Sequence, residues 1–436
     1  MSTVAEVLLW GSRIGAVSLA DEARAAAFEF DPEFATSGIE PAPLQMPLAA
    51  HRDYRFPQLA AESFNGLPGM LADSLPDRYG NALIDAWLAT RGRTPRSFDA
   101  VERLCYIGRR GMGALEFKPA LGPRAGRSHE LDVAALAELA AEVMAHRVDL
   151  AVSLRRRRRR DALREILRVG TSAGGARPKA LIALDPKSGE VRSGQLEADP
   201  GFEHWILKFD GIEDRSRELG ASRGYGAIEL AYARMARQAD IEMSKCRLLE
   251  EGGRRHFMTR RFDRTAGGEK LHMQSLAALA HLDFNQPGAA SYEGAFDVIR
   301  RLDLPHAALE QQFRRMVFNL VARNQDDHVK NIAFLMDRAG KWSLSPAFDL
   351  VFAHNPDGRW TARHQMSVNG KLDGFTVADL REVAATASLK RGRAEAILAE
   401  IREAVAAWPQ LAAEAGVEEE RAAAIAAAHR LELPLR

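Results

Sequence analysis

The stretch that decides the fold is Asn324-Gln325-Asp326-Asp327-His328-Val329-Lys330-Asn331. It follows directly on an apolar pattern in which Phe313, Met316, Val317, Leu320 and Val321 keep the i, i+3, i+4, i+7, i+8 spacing of one helix face. A helix therefore delivers the chain into a loop of acids, carboxamides and one lysine. Asp326 and Asn331 form a D-x-x-x-x-N arrangement. In phosphoryl transfer, a loop of that form offers a carboxylate to the attacking hydroxyl and an amide oxygen to magnesium. Asp327 would give only D-x-x-x-N, which makes Asp326 the better candidate base.

Downstream, NIAFLMDRAGKWSLSPAFDL (331–350) reads as a hairpin turning at Arg338-Ala339-Gly340. Its return would bring Asp349 back beside Asn331. A lone carboxylate at a strand end suits Mg²⁺, which takes one or two protein carboxylates and leaves its other positions to water and substrate phosphates.

Upstream, the run Gly170 to Lys179 reads GTSAGGARPK. It lacks the G-x-x-x-x-G-K-[ST] spacing of a Walker loop, yet it offers bare backbone N–H groups that phosphate oxygens can approach. The apolar runs ALIAL (180–184) and HWILKF (204–209) read as strands, the second carrying Lys208. A lysine is seldom buried without a partner; nucleotide phosphates, or Glu229 on the following helix, would serve. CRLLEEGGRRHFMTRRFDR (246–264) reads as a hairpin with Gly252 and Gly253 at its turn.

Composition sets the frame. At 436 residues, 46% hydrophobic and 27% charged, the chain is an ordinary globular one with room for several cores. Sixty basic residues against 59 acidic ones leave a net charge of +1, so any anion site must be local. Cys105 and Cys246 lack metal-ligand spacing and read as buried thiols of a reducing compartment. No basic leader and no apolar run of membrane length is visible, so the expectation is a cytoplasmic protein with no membrane partner. Arg155 to Arg160, six arginines in a row, read as a solvated surface.

Residues 1–120 mix strand-like runs with turns. VLLWGSRIGAVSL (7–19) reads as a hairpin with Gly11 and Ser12 at the turn, and RLCYIGRRGMGALEFKP (103–119) as Gly-punctuated strand. Residues 121–265 hold the Gly-rich loop and its strands, and 266–436 are mainly helical. The fold class is α+β: a β-rich/α N-terminal subdomain and a protein-kinase-like N-lobe, followed by an all-α C-lobe.

Gly-rich loop, strand lysine, helical glutamate, connector, D-x-x-x-x-N and lone Asp is the order of parts in protein-kinase chemistry, although H-R-D, D-F-G and A-P-E are missing. With TSAGGARPKALI, HWILKF, RRFDR, NQDDHVKN and SPAFDL, the sequence resembles the HipA toxin kinases of bacterial type II toxin–antitoxin modules over essentially its whole length. That family's loop usually reads T-D-x-H-x-K-N; here Gln325 stands in place of Thr, outside the D-x-x-x-x-N spacing.

The resemblance implies roles. Asp326 would be the base, and Asn331 and Asp349 would hold Mg²⁺. Gly174, Gly175, Ala176, Arg177, Pro178 and Lys179 would cover the ATP phosphates, with Lys208 touching them. Arg260, Arg261 and Phe262 would form the connector at adenine. His328, Val329, Lys330, Asn331 and Phe348 would complete the nucleotide site. Ser172 would be the self-phosphorylated residue that switches the kinase off, with Thr171 beside it as the alternative. The resemblance further implies a HipB-like helix-turn-helix antitoxin, operator DNA reached through that antitoxin, and an aminoacyl-tRNA synthetase as the phosphorylated protein. Alternative readings are a small-molecule or lipid kinase, or a pseudokinase subunit of a repressor complex.

Overall fold

The computed structural model describes residues 2–122, 130–145, 177–195, 201–212 and 224–436. Arg155 to Arg160, Thr171, Ser172, Gly174, Gly175 and Ala176 lie outside them. The chain divides into two compact units. The first comprises Met1–Arg215, Leu249–Gln274 and Met336–Lys341; the second comprises Ser216–Leu248, Ser275–Leu335 and Trp342–Arg436.

The first unit holds two sheets. β1 (Ser2–Leu9) and β2 (Ser12–Ala20) pair antiparallel. With β3 (Ala27–Phe30), β4 (Asp53–Tyr54) and β5 (Leu115–Lys118) they make the sheet β4-β3-β2-β1-β5. The β1–β2 turn is Trp10-Gly11, one residue earlier than the sequence suggests. Both residues take positive φ, 51° and 86°, as a two-residue hairpin turn requires. Trp10 is held in that strained conformation by its indole N–H, which donates to Lys270 O at 2.8 Å.

The segment around Arg103 is helical rather than strand-like, spanning Ala100–Ile107. Asp99 and Glu102 close a reciprocal capping box, and Val101, Leu104 and Cys105 bury one face. Capping and a 3.6-residue period outweigh the β-branched and aromatic content that suggested a strand. The helix Arg78–Ala89 is likewise capped by Asp77, which accepts from Gly80 N at 2.7 Å.

The second sheet takes β6 (Lys179–Leu184), β7 (Val191–Ser193), β8 (Glu203–Lys208), β9 (Cys246–Glu251) and β10 (Arg254–Arg260) in the order β7-β6-β8-β10-β9. Gly252 and Gly253, both at positive φ, turn β9 into β10 as read from the sequence. Trp87, Phe98 and Tyr106 of the N-terminal helices share one apolar core with Leu136 of the helix Val133–Ala145 and with Ile182, Trp205, Leu207 and Met258 of this sheet. The N-terminal subdomain and the sheet are thus packed on each other, not merely joined.

The second unit is mainly helical. Its long helices are Tyr225–Gln238, Tyr292–Arg301, His306–Val321, Val377–Thr386, Arg393–Ala406, Trp408–Ala415 and Glu419–Ala428. Tyr232 sits at their centre, with ring centroids 6.1 Å from Phe318 and 5.4 Å from Trp408, and its hydroxyl donates to Ala322 O at 2.6 Å. Among these helices run short strands: the expected hairpin Ala333–Met336 and Trp342–Leu344, and the parallel pair Ala290–Ser291 with Met366–Ser367.

Candidate active site

The helix His306–Val321 ends at Ala322, and Arg323 takes a left-handed φ of 56° that turns the chain out of it. The next residues are stapled by backbone bonds. Ala353 N donates to Arg323 O at 3.1 Å, and Gln325 N donates to Ala353 O at 3.0 Å, a parallel bridge centred on Asn324 and Ala353. The loop then closes into one 3₁₀ turn, Val329–Asn331, where Asn331 N donates to His328 O at 2.8 Å.

This geometry separates the two adjacent acids. The Asp326 side chain keeps 47% of its exposure, whereas that of Asp327 keeps 1%. Of the two, only Asp326 is open to solvent. Burial alone would raise the Asp327 carboxyl, but His364, the Gln365 N–H and the Tyr292 hydroxyl outweigh it and hold Asp327 below the ordinary carboxylate range. Asn331 Nδ2 donates to Asp326 O at 2.8 Å, leaving the Asn331 amide oxygen for another partner. His328 Nε2 lies 3.8 Å from Asp326 Oδ1, Val329 is buried, and Lys330 Nζ sits 4.6 Å from the Phe284 ring centroid.

Asp349 arrives by the predicted return. Ser345 N donates to Ala333 O at 2.9 Å, and the bridge at Ala353 fixes the far end of the segment. Between these anchors Asp349 takes a left-handed φ of 54°, and its carbonyl accepts from Asn324 Nδ2 at 3.5 Å. Phe348 precedes it, partly buried. The loop carrying Asp326 and Asn331 and the loop carrying Asp349 are therefore laced together. This donor set fits magnesium: one carboxylate and one amide oxygen leave most of the shell to water and phosphate oxygens. Among the described residues, no cluster of three His, Cys, Asp or Glu could hold a metal by itself.

In the first unit, Lys179 and Lys208 stand directly opposite each other across β6 and β8, and Lys208 faces Phe257 on β10. Lys179 is buried, and Lys208 Nζ lies 5.5 Å from the Phe257 ring centroid. Like charges directly opposed in a sheet repel. Arg177 precedes Pro178, whose carbonyl accepts from Phe209 N at 3.0 Å.

Arg260 reaches Glu203 at 3.4 Å, and Phe262 is partly buried. Arg261 turns its guanidinium wholly inside, onto Asp263. Glu229 is buried on the helix Tyr225–Gln238 of the second unit. Lys371 Nζ lies 2.7 Å from Asp379 Oδ2, in the capping box of the helix Val377–Thr386.

The sequence reading missed the groups that hold the site: Asp263, Tyr292, Asn319 and His364. Asp263 was visible within RRFDR. The others are scattered along the chain and carry no spacing signal.

A strand-rich first unit and a mainly helical second unit make an α+β fold. The HipA-like C-terminal domain matches residues 171–408, and the HipA N-terminal domain matches residues 5–118. The chain belongs to the HipA family. Among solved structures it is similar to HipA of Shewanella oneidensis MR-1, solved with HipB and its operator DNA, at 18% identity and a TM-score of 0.66, covering 97% of this chain and 94% of that one. The Helicobacter pylori proinflammatory kinase CtkA matches at 11% identity and a TM-score of 0.30, over 51% of this chain and 92% of that one. No curated protein matches.

Proposed function

We propose that the chain is an ATP- and Mg²⁺-dependent serine/threonine protein kinase acting as the toxin of a HipBA-type module. The observation that carries this reading is the pairing of an exposed Asp326 with Asn331 on one turn, laced to the Asp349 loop. Phosphoryl transfer asks mainly for positioning and charge neutralisation, and each group here has a matching task. Asp326 accepts the proton of the attacking hydroxyl. Asn331 and Asp349 would hold Mg²⁺, which would supply positive charge to neutralise the transferred phosphate. The family resemblance assigns Lys208 to the ATP phosphates.

The same proposal includes the partners: a HipB-like helix-turn-helix antitoxin, operator DNA through it, and an aminoacyl-tRNA synthetase as substrate. No helix among the described residues is long and apolar enough to cross a membrane. The decisive experiment is transfer of the ATP γ-phosphate into a lysate, with the labelled band identified by mass spectrometry. A synthetase labelled on serine supports the reading. Label appearing only in small molecules or lipid would replace it, and no transfer at all would favour a pseudokinase.

A further inference from the structure

Asp327, the second acid of the loop, has its own network. Its Oδ2 accepts from the Tyr292 hydroxyl at 2.8 Å and from His364 Nδ1 at 2.9 Å, and its Oδ1 accepts from Gln365 N at 2.8 Å. The Tyr292 oxygen in turn accepts from Asn319 Nδ2 at 2.9 Å, and Asn319 Oδ1 accepts from Asn324 Nδ2 at 2.9 Å. Asn324 Nδ2 also reaches Asp349 O at 3.5 Å. An unbroken chain of hydrogen bonds thus leaves the loop at Asp327, passes through two helices, and returns at Asn324 and Asp349. On the other side, Arg430 Nη1 lies 3.4 Å from His364 Nε2, and Arg430 is paired with Asp373. The Asp327 carboxylate at Nδ1 and the Arg430 guanidinium at Nε2 fix the orientation of the His364 ring.

We propose that Asp327 is a positioning residue that keeps the Asp326 loop and the Asp349 loop in register through this buried network. The inference rests on Asp326 acting as base and Asp349 as a magnesium ligand. Asp327 itself touches neither substrate nor metal. It matters because two groups on separate loops must hold a common geometry, and a misplacement of about 1 Å costs roughly 100-fold in rate. A neutral carboxamide cannot replace Asp327. Three donors converge on two carboxylate oxygens, and an amide nitrogen would face either the Tyr292 hydroxyl and His364 Nδ1 together or the Gln365 N–H, with no lone pair to offer.

The test compares the full-length wild type with Asp327→Asn and with Tyr292→Phe, which cuts the chain at its middle and loses only one oxygen. Hydrogen–deuterium exchange should quicken in peptides covering 322–332 and 346–353 together, with the remaining helices unchanged. The kcat for phosphoryl transfer should fall roughly 10- to 100-fold while KM for ATP stays within about threefold. Exchange that quickens in only one loop, or across the whole protein, overturns the proposal, as does an unchanged kcat with both loops loosened. If Asp327→Asn fails to fold, Tyr292→Phe decides by the same readouts. A wild type that transfers no phosphate overturns the kinase reading, while the exchange arm still decides whether Asp327 links the loops.

Discussion

Arg261 grips Asp263 with both Nε at 2.9 Å and Nη2 at 2.7 Å, and neither side chain has any solvent exposure. Arg264 Nη1 adds a third contact at 2.8 Å, and Gly113 N a fourth at 2.7 Å. Gly113 belongs to the N-terminal subdomain, so a carboxylate two residues beyond the connector arginines ties that subdomain to the connector strand. Burial alone would raise the Asp263 carboxyl, but the two guanidiniums hold it far below the usual carboxylate range.

Asp263→Ala should therefore destabilise the protein by about 3–5 kcal/mol, because it strands two buried guanidiniums. Gly113→Ala should be harmful for a different reason. Gly113 has a φ of 73°, and an added Cβ would lie 3.0 Å from Met273 N. Urea unfolding checks both; an Asp263→Ala midpoint equal to wild type would show that the cluster contributes nothing.

Asp326→Ala should abolish autophosphorylation with the fold intact, since the Asp326 side chain keeps 47% of its exposure. Circular dichroism with a phosphate-transfer assay reads both properties. Residual transfer above about a tenth of wild type would move the base elsewhere.

Asn331→Ala and Asp349→Asn should weaken ATP binding only when Mg²⁺ is present, because each removes an oxygen ligand or its charge from a site with few protein ligands. Titration calorimetry with and without Mg²⁺ separates a metal effect from a direct nucleotide effect. Equal losses in both conditions would argue for the latter.

Stability should fall on acidification between pH ~6.5 and ~4. Burial holds His256, His272, His281 and His429 at about 4 in the folded chain. Below the ordinary histidine value the unfolded chain binds protons that the folded chain refuses, so stability is full above that value and lost as pH drops through the window. Melting temperatures from pH 7.5 to 4.5 test this, and a flat profile would contradict it.

Ser172 should carry phosphate after incubation with Mg-ATP, and the modified form should bind ATP weakly. A phosphate adds about −1.5 to −2 charge at neutral pH, which repels a second polyphosphate at the Gly-rich loop. Peptide mapping reads the position; phosphate found on Thr171 instead would reassign it.

Much of this fold was legible because its signals are local. The Gly252-Gly253 turn, the helix ending at Val321 and the hairpin leading to Asp349 follow from short-range periodicity and turn chemistry. The misread helix Ala100–Ile107 shows the limit: Leu104, Cys105 and Tyr106 look strand-like until the Asp99–Glu102 box is counted as a start signal. Spacing singled out Asp326 over Asp327, but the burial and hydrogen-bond partners of Asp327 were not legible. Its partners Tyr292, His364 and Gln365 lie 35, 37 and 38 residues away, and only tertiary packing brings them to one carboxylate.

The core shared by Trp87, Tyr106, Trp205 and Met258 has a consequence in time. The N-terminal subdomain leaves the ribosome first, with one apolar face still uncovered. Its cover is complete only when Met258 has been made, roughly 7–28 s later at 5–20 residues per second. Through that interval the nascent chain presents a sticky surface with no partner of its own. The subdomain is thus poorly suited to a life as a separate polypeptide, and a gene split near residue 120 would release two fragments that each seek the other.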